Sequence, residues 1–168
     1  MELKKQGYDM YLFVRWKAVM ELQLIQCPDE EVFRYFRKME EWEYGDYLDE
    51  CVLNRPSAVF ICMFYKGTWV GYALVESMKH LNVGMLLDDI WEEEEFERAL
   101  EFVEKHLKDN GYYLHGFEIF EPYQRKGLGT QAEKGLMDVL QAPILLYTVS
   151  DSQYFWLKQG YESLNGEY

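Results

Sequence analysis

Residues 112–140 read YYLHGFEIFEPYQRKGLGTQAEKGLMDVL. Apolar and aromatic side chains dominate 112–120, the pattern of a largely buried strand. Pro122 ends it, because proline has no N–H to give to a ladder. Gln124, Arg125, Lys126, Gly127, Leu128 and Gly129 follow, and then Leu128, Ala132, Leu136 and Val139/Leu140 recur at helical spacing, which predicts a helix with one face on the sheet. Two glycines where the helix begins let backbone N–H groups approach a ligand with no Cβ in the way. The first N–H groups of a helix lack intrahelical partners and carry partial positive charge, so they suit a phosphate. Arg125 and Lys126 add full charges beside them.

Gln124-x-x-Gly127-x-Gly129 after a strand resembles the Q/R-x-x-G-x-G/A acyl-CoA loop of the GNAT family of N-acetyltransferases. Downstream, SQYFWLKQGY over 152–161 is similar to that family's next helix, which commonly ends in Tyr-x-x-x-Gly-Phe. The likeness is strongest over 112–162. It implies an α/β fold: a mixed, mostly antiparallel sheet flanked by helices, with a central parallel strand pair splayed to bind acyl-CoA. It also implies acetyl-CoA as co-substrate with no metal, and transfer of the acetyl group to a primary amine. The backbone N–H of Ile119 would polarise the acyl carbonyl and main-chain atoms of Glu121 would meet the pantetheine. Gln124 opens the loop, and backbone groups of Arg125, Lys126, Gly127, Leu128, Gly129 and Thr130 would ring the pyrophosphate.

With 168 residues, 49% hydrophobic and 17% aromatic, the chain reads as one globular domain over 1–168, long enough for a substantial core. Apolar runs are too short to span a membrane, and the first ten residues, MELKKQGYDM, lack the apolar centre of a signal peptide. Three cysteines, Cys27, Cys51 and Cys62, match no zinc spacing and read as reduced core thiols of a cytoplasmic protein. A net charge of −13 argues against nucleic acid as a partner. The same field repels CoA at range, which the local cluster Arg125, Lys126 and Lys134 must overcome, and it concentrates cationic ligands such as amines. The charge equally serves solubility.

Taken in order, 8–25 predicts an opening strand region of one or two strands. Pro28 and Asp29 begin a helix that runs to about Trp42 with Val32, Phe33, Phe36 and Met39 on its apolar face, and a short second helix falls within 46–53. Residues 57–65 and 68–77 form a hairpin about Lys66-Gly67. A short strand is expected at 83–87. Residues 92–108 predict a helix with Phe96, Ala99/Leu100, Val103 and Leu107 as its stripe and four glutamates at its start, where negative charge suits the dipole; Asn110 and Gly111 cap its end. The resembled family joins these strands more tightly, so the helix displaces or covers part of an acceptor site. The glutamates read as a solvated face rather than a cation site. Pro143 precedes a buried strand over 144–149, and Asp151 caps a last helix that Gly160 ends. The family finishes with a strand pair, so here one member is missing or is supplied by a partner subunit in a homodimer.

Acyl transfer to an amine needs the amine neutral, the carbonyl polarised and the thiolate able to leave. An alkylamine of pKa about 10 costs roughly 4 kcal/mol to deprotonate at neutral pH, so a base within reach helps. His115, four residues before Ile119 on the same strand face, is the first candidate, with a hydrogen-bonded structural role as its alternative. Glu118, on the other face by strict alternation, is the second. Trp156 stands where the family often places a tyrosine acid, and Tyr154 lies about 200° around the helix from it. Either the thiolate leaves unaided, its pKa being near 8.5, or the chain is a non-catalytic acyl-CoA-binding or protein-interaction module of the same fold. Gly127-x-Gly129-x-x-Ala132 also fits a dinucleotide fingerprint. Several residues separate the strand from Gly127, however, and the roughly forty that follow are too few for a nucleotide-binding sheet. The acceptor, a small molecule or a peptide amine, has no motif.

Overall fold

A computed structural model of the chain describes residues 13–14, 22–26, 57–88, 90, 92–148 and 150–164. Among the described residues, six strands form one sheet in sequential order: β1 (Phe13–Val14), β2 (Leu22–Gln26), β3 (Ala58–Tyr65), β4 (Thr68–Ser77), β5 (Tyr112–Ile119) and β6 (Ile144–Leu146). Every neighbouring pair is antiparallel except β5–β6, which is parallel. A parallel neighbour requires a crossover. Helix α3 (Leu128–Leu140) supplies it; α1 (Val83–Leu86) and α2 (Glu93–His106) stand between β4 and β5, and α4 (Ser150–Lys158) follows β6. The expected helices at 29–42 and 46–53 lie outside the described residues.

The opening strand region resolves into β1 and β2, paired Phe13 to Ile25 and Val14 to Leu24. Lys66 and Gly67 both take positive φ, 51° and 80°, the turn whose twist matches a β3–β4 hairpin. One face of the sheet carries Leu22, Leu24, Ile61, Met63, Ala73, Val75, Leu114 and Ile119 against Leu128, Ala132 and Leu136 of α3 and Trp156 of α4. The other carries Phe60, Cys62, Tyr72 and Leu74. The apolar stripe read from α3 is thus the face it buries.

Between β4 and β5 the chain makes a third cluster, in which Met78, Leu81, Val83 and Leu87 meet Ala99, Val103 and Leu107. The strand expected at 83–87 is instead the helical turn α1: a strand would put Met85 on the same face as Val83 and Leu87, whereas here Val83 and Leu87 are buried and Met85 is exposed. Tyr113 and Leu145 also pack on this cluster. Helix α2 therefore sits where β5 begins, roughly 25 Å of strand away from the turn that follows β5. Asn110 and Gly111 do not cap α2, which ends at His106 with Leu107 as its C-cap; Gly111 closes the turn that follows. It has no left-handed φ; a Cβ there would lie 3.0 Å from the Leu107 side chain and collide with the Leu107 carbonyl, to which its own N–H donates.

Three further expectations are corrected. β6 stops at Leu146 rather than at 149, because its pairing with β5 ends at Leu114–Leu146. Helix α4 starts at Ser150, so Asp151 stands inside its first turn and is not the cap. Cys62 is disulfide-bonded, so the three thiols are not all reduced; Cys27 and Cys51 lie outside the described residues. Gly160 ends α4 at φ 94°, as its position predicts. Residues 161–164 hold no strand, and Leu164 returns to the α2 cluster.

Candidate active site

The candidate site lies where β5 loses its neighbour. β6 pairs only with Tyr112, Tyr113 and Leu114, which leaves the β6-side edge of 115–119 open. Strand β5 is also irregular there. Leu74 faces Gly116 and Val75 faces Leu114, so His115 is an extra residue, a β-bulge. A bulge advances the alternation by one, and two consequences follow.

The first concerns faces. Leu114, Phe117 and Ile119 all pack on the α3 side, at a spacing of three and then two. Glu118 faces Tyr72 on the opposite side, and His115 reaches Glu76 on that side too. His115 and Ile119 therefore do not share a face, contrary to strict period-two counting, whereas His115 and Glu118 do. The second concerns the backbone. Phe120 donates its N–H to the Val70 carbonyl, so the N–H of Ile119 points away from β4, to the open edge. The N–H expected at the acyl carbonyl is thus one that the strand aims outward.

His115 and Glu118 differ in access. Nε2 of His115 lies 2.9 Å from Oε2 of Glu76, and Ser57 Oγ donates to the other carboxylate oxygen at 2.8 Å. The side chains of His115 and Glu76 are 2% and 1% exposed. Glu118 is exposed. Gly116 has no side chain to compete with either: a Cβ there would come 3.2 Å from the Tyr72 ring.

Glu121, Pro122 and Tyr123 then make one 3-10 turn, and the loop is tied back on itself. Gln124 Nε2 donates to the Ile119 carbonyl at 2.8 Å. Lys126 Nζ donates to the Pro122 carbonyl at 2.8 Å and lies over the Tyr123 ring. Arg125 at φ 59° and Gly127 at φ 75° are both left-handed, so successive N–H groups turn inward as in an anion-binding nest. No side chain caps α3, so the N–H groups of Leu128, Gly129 and Thr130 open onto the same exposed surface. The glycines divide the work. Gly127 has open space where a Cβ would be, whereas Gly129 makes room for the Phe155 ring at 3.4 Å. Lys134 is exposed but lies six residues along α3 from Leu128, roughly 9 Å from the turn.

Behind the loop, Trp156 is 8% exposed and packs edge-on to Phe117, Phe155 and Tyr161. Burial raises the Tyr161 phenol well above its ordinary range, and Glu133 raises it further. Burial likewise raises Glu133, against a hydrogen bond from Tyr161 and with a smaller push from Asp138.

Sequence reasoning passed over Glu76, Gly116 and this Glu133–Tyr161 contact. Glu76 is the only charged residue of a ten-residue apolar strand, and the 114–117–119 spacing around a glycine marks a bulge, so both signals were present.

Among solved structures, an acetyl transferase described from Pyrococcus furiosus superposes with a TM-score of 0.55 at 13% identity, over 84% of this chain and 93% of that one. A protein of Clostridium acetobutylicum described as an acetyltransferase, solved with acetyl-CoA, gives 0.52 at 8% identity over 88% and 94%. AAC(6')-Iy, solved with the bisubstrate analogue CoA-S-monomethyl-acetylneamine, gives 0.50 at 13% over 85% and 92%. No curated protein matches the sequence. The family model for GNAT acetyltransferases matches residues 16–161, and with that span, the splayed parallel pair and the glycine turn in place, the chain belongs to the acetyltransferase (GNAT) family.

Proposed function

We propose that this acetyltransferase takes its acetyl group from acetyl-CoA, held along the open edge of β5 and at the turn 121–130, and passes it to a primary amine. The observation that carries the reading is the continuity of three things in twenty residues: a strand edge vacated by β6, an outward Ile119 N–H, and a left-handed turn into an uncapped helix. The edge suits the pantetheine amides, and Glu121 stands at its end. The nest from Gln124 to Thr130 suits the pyrophosphate, with Arg125 and Lys126 supplying charge. Ile119 N–H polarises the thioester carbonyl.

Glu118 accepts the proton of the attacking amine, directly or through water, since its carboxylate is exposed one residue from Ile119 on the face His115 shares. His115, closed off against Glu76, is assigned a different part below. The thiolate leaves without a side-chain acid, because a thiol pKa near 8.5 makes it a stable leaving group. The acceptor is a small cationic amine: a net charge of −13 draws cations, and AAC(6')-Iy, which has this fold, was solved with an analogue joining CoA to an acetylated amine. The whole chain is read as one such domain. No helix among the described residues is long and apolar enough to cross a membrane.

Thiol release from acetyl-CoA, followed against a panel of polyamines, aminoglycosides and peptide amines, tests this. Turnover with any of them supports it. Binding of acetyl-CoA with no transfer to any amine favours the second reading, an acyl-CoA-binding module, to which the buried Trp156 at the tyrosine position lends its weight.

A further inference from the structure

The bulge at His115 decides which peptide groups of β5 face the vacated edge. Tyr112 donates its N–H to the Pro143 carbonyl, on the β6 side. Regular alternation from there would send the N–H of 114, 116 and 118 toward β6 and turn that of Ile119 back to β4. One extra residue reverses the outcome: Phe120 bonds to Val70, and Ile119 points to the open side. The catalytic orientation of Ile119 therefore depends on where in β5 the extra residue sits.

A bulge can slide along its strand unless something fixes it. Here the doubled pair is His115 and Gly116. Gly116 contributes no side chain, and Tyr72 covers it. The imidazole of His115 crosses to β4 and bonds Glu76, which Ser57 holds from its other oxygen. A slip of one residue would bring Leu114 or Gly116 opposite that buried carboxylate, with no side-chain donor to offer it. We propose that the Glu76–His115 pair pins the bulge and thereby aims the Ile119 N–H at the thioester carbonyl. This positioning pair rests on the acyl-transfer reading above.

The test compares His115→Ala, Glu76→Ala, the double variant and His115→Gln, whose amide can still donate to Glu76. Each alanine variant is expected to lower kcat by about 10- to 100-fold while KM for acetyl-CoA changes by less than about threefold. The loss is the same from pH 7 to 10, the double variant is no worse than either single one, and His115→Gln recovers most of the rate. In 15N spectra without ligand, the Ile119 amide shifts in the alanine variants and returns in His115→Gln. Unchanged kcat per folded molecule, additive losses, or an unmoved Ile119 amide would each overturn the proposal. So would a loss that disappears at high pH, which makes His115 the base. If the alanine variants do not fold, His115→Asn, whose shorter amide does not reach Glu76, and His115→Gln carry the comparison through the Ile119 amide, shifted in the first and restored in the second. If the wild type transfers nothing, the functional reading has failed, and the Ile119 amide still reports whether the pair fixes the bulge.

Discussion

Nε2 of His115 and Oε2 of Glu76 meet at 2.9 Å across two strands, inside a part of the molecule that solvent does not reach. Removing one partner leaves the other buried with a polar atom unanswered, at a cost of about 1–3 kcal/mol, whereas an amide in place of the carboxylate retains an acceptor. Glu76→Ala should lower the urea midpoint clearly and Glu76→Gln much less. A Glu76→Ala midpoint within the scatter of surface substitutions would contradict this assignment.

Gly71 and Gly67 separate two uses of glycine. A Cβ at Gly71 would run into the backbone of β5 at Glu118 and Ile119, which cannot move without opening the sheet beside the site. At Gly67 a Cβ meets nothing, and the cost is the left-handed φ of 80°, about 1–2 kcal/mol. Gly71→Ala is therefore expected to destabilise more than Gly67→Ala and to impair acetyl-CoA binding as well. Equal midpoints for the two would show that β4 and β5 are less tightly apposed than described.

Glu118→Gln should reduce turnover by roughly 100-fold at pH 7, with acetyl-CoA affinity nearly intact. The deficit should shrink toward pH 10, where the amine loses its proton unaided. A deficit that stays constant with pH would remove Glu118 from the role of base.

Tyr161 gives a pH signature independent of catalysis. Its phenol is raised in the folded state by burial and by Glu133, so above pH 10 the unfolded chain releases a proton that the folded one keeps. Stability is then lost as pH rises, by up to about 1.4 kcal/mol per unit. Tyr161→Phe should flatten the slope of urea midpoint against pH between 10 and 11. An unchanged slope would mean the phenol is not held by the Trp156 cluster and Glu133.

Most of the framework was legible because it depends on local chemistry. The hairpin follows from Lys66-Gly67, the α3 face from Leu128, Ala132 and Leu136, and the turn from Gln124 through Gly129. What escaped depends on pairing between distant segments. The strand at 83–87 was misread because an apolar run of five residues does not reveal that α2 will lie against it. The faces of His115 and Glu118 were assigned by strict alternation, and the bulge that undoes it is written in the 114–117–119 spacing, which only becomes decisive when β4 is alongside. Glu76 looked like the polar end of a strand until its partner, 39 residues on, came into place.

The most direct measurement is the thermal unfolding of the wild type and of Gly127→Asp with and without acetyl-CoA. Aspartate at φ 75° strains the backbone, so the comparison is of ligand-induced shifts, each against its own baseline. At about 100 times its Kd the ligand adds about 2.7 kcal/mol, a rise of roughly 5–10 °C for a chain of this size. The account predicts that rise for the wild type and its loss in Gly127→Asp, whose carboxylate would stand among the pyrophosphate's donors. A wild type whose melting temperature is unmoved by millimolar acetyl-CoA would contradict the assignment of this turn as the donor site.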